Sequence, residues 1–255
     1  FKKQKSNVLL LKRLREVNAL IGFTRVEAPE ASNDLDEQPR MAALCNDRPS
    51  WIPASQVHGE GIFIRFDEKV LAKWEKKPEV AALDEKLFKG HKWWRNSRKL
   101  DPEDRYPGIR YALLHTVAHL LIRELALECG YNAASIRERI YADTSGESPQ
   151  AGVLIYTAAP DSDGTLGGLV ELGKPDNLGP LLGQAFNRAR ICSSDPLCSE
   201  HSPDKDGTLH LAACHACTFA AETSCECGNR YLDRALVVPT FENAAAAFFG
   251  DVADE

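Results

Sequence analysis

Six of the chain's eight cysteines fall within residues 192–227, and two of them form the pair Cys214-x-x-Cys217. Cys192 and Cys198 lie upstream of the pair, Cys225 and Cys227 downstream. A Cys-x-x-Cys turn sets two thiolates about 3.5–4 Å apart, the edge of a tetrahedron whose Zn–S bonds are about 2.3 Å long. A second pair must come from elsewhere, and Cys198 and Cys225 bracket the turn at workable distances. One tetrahedral site cannot use all six. Cys192 and Cys227 are then spare thiols or part of a second, weaker site, with His201 and His215 as reserve ligands. Disulfides are the competing explanation, but a secreted scaffold spreads its cysteines through a short chain, and here they occupy one corner of a long one. A single structural zinc is the expectation.

Three other groups of residues carry chemistry worth weighing. His115 and His119 are four apart, the spacing of the zinc-protease helix, but that motif needs Glu directly after the first His as general base. Thr116 stands there, so the peptidase reading fails and leaves two imidazoles hydrogen-bonded within the fold. Asp161-Ser-Asp-Gly-Thr-Leu-Gly-Gly168 has glycines but neither the Lys-Ser/Thr of a P-loop nor the G-x-G-x-x-G pattern, and reads as a structural turn. Asp161 and Asp163 with the two histidines define a rival reading, a metal-dependent phosphodiesterase or nuclease. Lys89, Lys92, Trp93, Trp94, Arg95, Arg98 and Lys99 combine cations with two stacking faces and no acid. That combination suits DNA, single-stranded DNA in particular.

At 255 residues and 44% hydrophobic, the chain can fill one large core or two small ones. No run approaches the ~18 apolar residues of a membrane span, and no secretion signal opens the chain, so a cytoplasmic setting without a membrane partner is expected. Phe1 in place of an initiator Met suggests a portion of something longer. The net charge of −6 alone argues against nucleic acid, but it is segregated. Residues 1–25 hold seven Lys/Arg against Glu16, and residues 27–37 hold five acids and no base. A basic face can coexist with a negative total.

The elements that must position these residues follow from periodicity. Leu10, Leu14, Val17 and Ile21 predict a helix over 6–21 with Ser6 as cap. Ala28 to Arg40 reads as a loop, Gly61 to Phe66 as a short strand, and Asp67 to Lys77 as a solvated helix. The best helix spans 108–128, opened by Pro107 and stopped by Gly130. Residues 135–140 fit a capped helix or an alternating strand equally. Gly152 to Thr157 is a buried strand. A helix over 176–190 capped by Asp176 and a short one over 229–236 complete the pattern. The fold class is mixed α/β (α+β): helices around a small sheet, with a cysteine-ligated segment. Residues 1–104 read as an N-terminal mixed segment and 105–255 as the zinc-binding domain.

Taken in order, His115-Thr-Val-Ala-His119, Asp161 to Gly168, Cys192-Ser-Ser-Asp-Pro-Leu-Cys198, Ala213-Cys-His-Ala-Cys217, Glu222-Thr-Ser-Cys225 and Asn229-x-x-Leu-Asp-Arg234 resemble a known pattern. It is that of the zinc-binding C-terminal domain of MrfA-type DNA-repair helicases and, more closely, of its relatives in the DrmB family of DISARM anti-phage systems. The resemblance covers roughly residues 105–240. It implies zinc held by Cys198, Cys214, Cys217 and Cys225, with Cys192 leaving the first ligand open. It also implies an accessory subunit for a Swi/Snf-like helicase that itself hydrolyses ATP, and no Gly-Lys-Ser/Thr of a P-loop occurs here. A protein-assembly module without DNA contact is a third possibility.

Overall fold

Residues 7–24, 41–47, 50–130, 132–157, 167–203 and 207–250 are described by a computed structural model. The expected loop over 28–40 and the Asp161-to-Leu166 stretch lie outside the described residues. The organising element is α3, Gly108–Cys129. Leu113, Leu114, Val117, Leu120, Leu121, Ile122 and Leu125 bury it on every face, so it runs through the core rather than along it. Gly130 ends it with φ 66°, the left-handed conformation that glycine adopts without a Cβ clash.

One face of a four-stranded antiparallel sheet, ordered β1-β2-β4-β3, packs on α3. The strands are β1 (Asn7–Ala19), β2 (Ala54–Arg65), β3 (Ile136–Tyr141) and β4 (Gly152–Thr157). Alternation places Ile62, Ile64, Ile136, Ile140, Val153 and Ile155 inward, in the registers Ile62↔Ile155 and Ile64↔Val153. Glu138 occupies the inward position between Ile136 and Ile140, a carboxylate in an apolar row. The ambiguous 135–140 segment is therefore strand, and its capping-box pattern is incidental. Strands from before and after residue 105 share this sheet and one core.

The helix expected over 6–21 is instead strand β1. Its half-buried positions are 8, 10, 11, 14 and 16, because a bulge shifts the register between Leu11 and Leu14. The bulge breaks the period of two into steps of one and three, which imitate helical spacing.

Around this core lie α1 (Glu68–Trp74), α2 (Pro78–Ser97), α4 (Gly168–Leu172), α5 (Pro175–Ala189) and α6 (Arg234–Val237). Asp67 caps α1, but Leu71 and Trp74 are buried, so this helix is not merely solvated. Pro175 opens α5 after Lys174, which puts Asp176 in the first turn rather than at the cap. Helix α6 is shorter than expected because the Asp233 side chain caps it by accepting from the Ala235 N–H.

Candidate metal centre

Three short pieces of chain converge beyond the end of α5. Cys192 follows the helix directly. Cys198 sits in a 3₁₀ turn, Pro196–Glu200, whose start is fixed by Asp195 accepting from the Leu197 N–H at 3.0 Å. Cys214 and Cys217 stand on a turn closed by the Cys217 and Thr218 N–H groups donating to the Cys214 carbonyl at 3.3 and 3.0 Å. The Sγ···Sγ distances are 3.6 Å for Cys192–Cys214, Cys198–Cys217 and Cys214–Cys217. All four sulfurs lie within 4.8 Å of one another. Zn–S bonds of about 2.3 Å give a tetrahedral edge of about 3.8 Å, so the set has the size zinc requires. Disulfides need sulfurs about 2.05 Å apart, and all four cysteines are free.

Residues 117–218 match the MrfA Zn-binding domain. The matched span contains all four clustered cysteines. The chain is also 43% identical over 239 residues, 93% of its length, to the DISARM protein DrmB of Bacillus paralicheniformis. It spans 41% of that relative. Both halves of the resemblance read from the sequence therefore hold.

The cluster also gains a charge from Arg234, the last residue of the Asn229-x-x-Leu-Asp-Arg234 motif, to which the sequence assigned no role. Arg234, 1% exposed, sets Nη2 3.5 Å from Cys198 Sγ and donates to the carbonyls of Ala189 and Ala212. Cys198 and Cys217 lie within hydrogen-bonding distance of each other. The hydrogen bond from Cys198 holds the Cys217 thiol down at about 4, against the opposing effect of burial, and raises Cys198 in turn. Arg234 supplies a buried positive charge beside these sulfurs, which helps offset the negative charge of thiolates gathered on a cation. The motif does not announce this role, since the contacts of Arg234 reach 36 and 45 residues back along the chain.

Of the four cysteines expected to act together, Cys198, Cys214 and Cys217 meet, and Cys192 stands beside them. Cys225 lies elsewhere, with its sulfur 3.2 Å from His115 Nε2. His115 and His119 are fully buried and face Glu138. The Asp161 and Asp163 of the rival reading fall outside the described residues. The sequence reading did not single out Glu138; its polarity within an isoleucine alternation is the signal that could have found it.

The basic segment 89–99 forms the last turns of α2 and the residues just beyond it. Lys89 pairs with Glu85 and Lys92 with Glu103. Arg95 is 4% exposed and held by Asp104 and the Asp101 carbonyl, so its place is inside the fold. Trp93 is half exposed, while the guanidinium groups of Arg98 and Arg230 lie over the Trp94 ring at 4.0 and 4.5 Å. Among the described residues, no helix is long and apolar enough to cross a membrane.

Proposed function

We propose that this chain is a zinc-stabilised, non-catalytic part of a DISARM anti-phage protein, acting in the cytoplasm with a Swi/Snf-like helicase and contributing to DNA binding. The observation that carries this reading is the identity to DISARM protein DrmB along nearly the whole chain, with a four-thiol pocket inside the matched Zn-binding domain. Four thiolates on one zinc supply on the order of ten kcal/mol of folding free energy. That ion would tie the end of α5 to the 198–217 segment and leave the outer surfaces for partners.

For DNA, the favoured contact is the end of α2, where half-exposed Trp93 offers an aromatic face and the Arg98–Trp94–Arg230 stack offers cations, with Lys99 following in sequence. Lys89 and Lys92 face carboxylates and Arg95 is internal, so they contribute less. Single-stranded DNA binding should weaken steeply with salt, and further when Trp93→Ala is combined with Lys99→Ala. An affinity indifferent to both would remove the DNA part of the proposal. Metal analysis should find zinc that is lost in Cys214→Ser, and a zinc-free native protein would contradict the structural part. Divalent-ion-dependent nuclease activity abolished by Asp163→Ala would favour the enzyme reading instead.

A further inference from the structure

We propose that His115, His119, Glu138 and Cys225 form a second metal site, for zinc, separate from the four-cysteine cluster. Three elements bring them together: α3 supplies two imidazoles one turn apart, β3 supplies the carboxylate, and the loop before Asn229 supplies the thiol. One donor atom from each lies within 4.8 Å of the other three. His115 Nε2 is 2.9 Å from Glu138 Oε1 and 3.2 Å from Cys225 Sγ, and His119 Nε2 is 3.3 Å from the same Oε1. The matched domain begins after His115 and ends before Cys225, so the cluster straddles its limits.

The surroundings are those of ligands. His119 Nδ1 is 3.1 Å from the Thr218 carbonyl, a contact only its N–H can make, which leaves the Nε2 lone pair aimed into the cluster. Cys225 Sγ accepts from the N–H groups of Asn229 at 3.1 Å and Cys227 at 3.4 Å, as a thiolate would. Cys227 Sγ lies 3.7 Å from His115 Nδ1, beyond the donors themselves.

A simple buried ion pair accounts for this geometry poorly. Two imidazoles would share the two carboxylate oxygens, one each. Here both Nε2 atoms and the Glu226 N–H crowd Oε1, while the buried Oε2 has no hydrogen-bond partner among the described residues. Convergence of two nitrogens, one oxygen and one sulfur on a common point is what a cation organises, and this donor set suits zinc. The histidine and glutamate side chains are 0% exposed and Cys225 is 8% exposed, so solvent has no open position. A closed four-donor site is structural. Residues 214–225 would then be held at both ends, by Cys214 and Cys217 on one ion and Cys225 on the other, with Thr218 fixing His119 between them.

The test is zinc content per chain in full-length protein from zinc-replete growth. Two equivalents are expected, with Cys225→Ser and His119→Ala each losing one, and Cys214→Ser losing the other. A chain whose zinc content is unchanged by Cys225→Ser overturns the proposal. Zinc lost with Cys225→Ser but retained with Cys214→Ser supports it while sinking the four-cysteine reading. Should those variants not fold, cobalt(II) reconstitution of the wild-type chain decides. A second bound ion with the weak charge-transfer band of a single thiolate supports the site. Saturation at one ion with a four-thiolate spectrum excludes it.

Discussion

Arg234 carries its charge to the sulfurs while its neighbour Asp233 turns to cap α6, and both are 1% exposed. Arg234→Met keeps the bulk but strips the donor from the Ala189 carbonyl, leaves the Ala212 carbonyl only the residue-234 backbone N–H, and removes the cation from Cys198. It should cost about 3–5 kcal/mol by chemical denaturation and speed zinc release to a chelator. Arg234→Lys should recover only part of this, because an ammonium cannot reproduce the fork. Burial holds the Asp233 carboxyl up at about 6, with the Ala235 N–H and Arg234 opposing. The folded state therefore binds this proton more tightly than the unfolded chain. The resulting stability is fully present below the ordinary carboxylate range and is lost as pH rises through about 6. Going from about pH 4 to about pH 8 should remove on the order of 2 kcal/mol from wild-type, a loss absent in Asp233→Asn when denaturation midpoints are compared. At this scale the chemistry was partly legible. Cys214 and Cys217 declared themselves by spacing, but nothing local could choose between Cys192 and Cys225, which share the same stretch of sequence and face different clusters.

Among the elements, α3 was readable because Pro107 and Gly130 bound it and its apolar run is long. Strand β1 was not, because pairing with β2 and the bulge at Leu11 and Leu14 decide it, and both are long-range facts. Helix α2 shows how tightly such elements are docked. A Cβ added at Gly90 would sit 2.5 Å from Pro203 Cβ. Alanine is intrinsically better in a helix by about 1 kcal/mol, but overpacking costs about 1–3 kcal/mol. Gly90→Ala should therefore lower the denaturation midpoint, and a rise would show that Pro203 and Leu209 yield easily. Leu121→Ala, at the centre of α3, should cost about 2–5 kcal/mol by the same measurement.

For the whole molecule, the two clusters differ in how far apart their members lie along the chain. A strong chelator should lower the melting temperature and loosen residues 192–217, seen as faster amide exchange there than in α3. Cys192 and Cys214 are 22 residues apart, whereas His115 and Cys225 are 110 apart. Closing the longer loop costs about 1.4 kcal/mol more in chain entropy. A refolding chain can therefore gather the sulfur pocket from its own neighbourhood while the imidazole–carboxylate group waits for α3, β3 and the Cys225 loop to dock. That late group also reads strand register. A slip of one residue in β3 would turn Glu138 to the outer face and leave His115 and His119 with no carboxylate. The buried cluster thus works as a proofreading contact, completed only when the sheet has paired correctly.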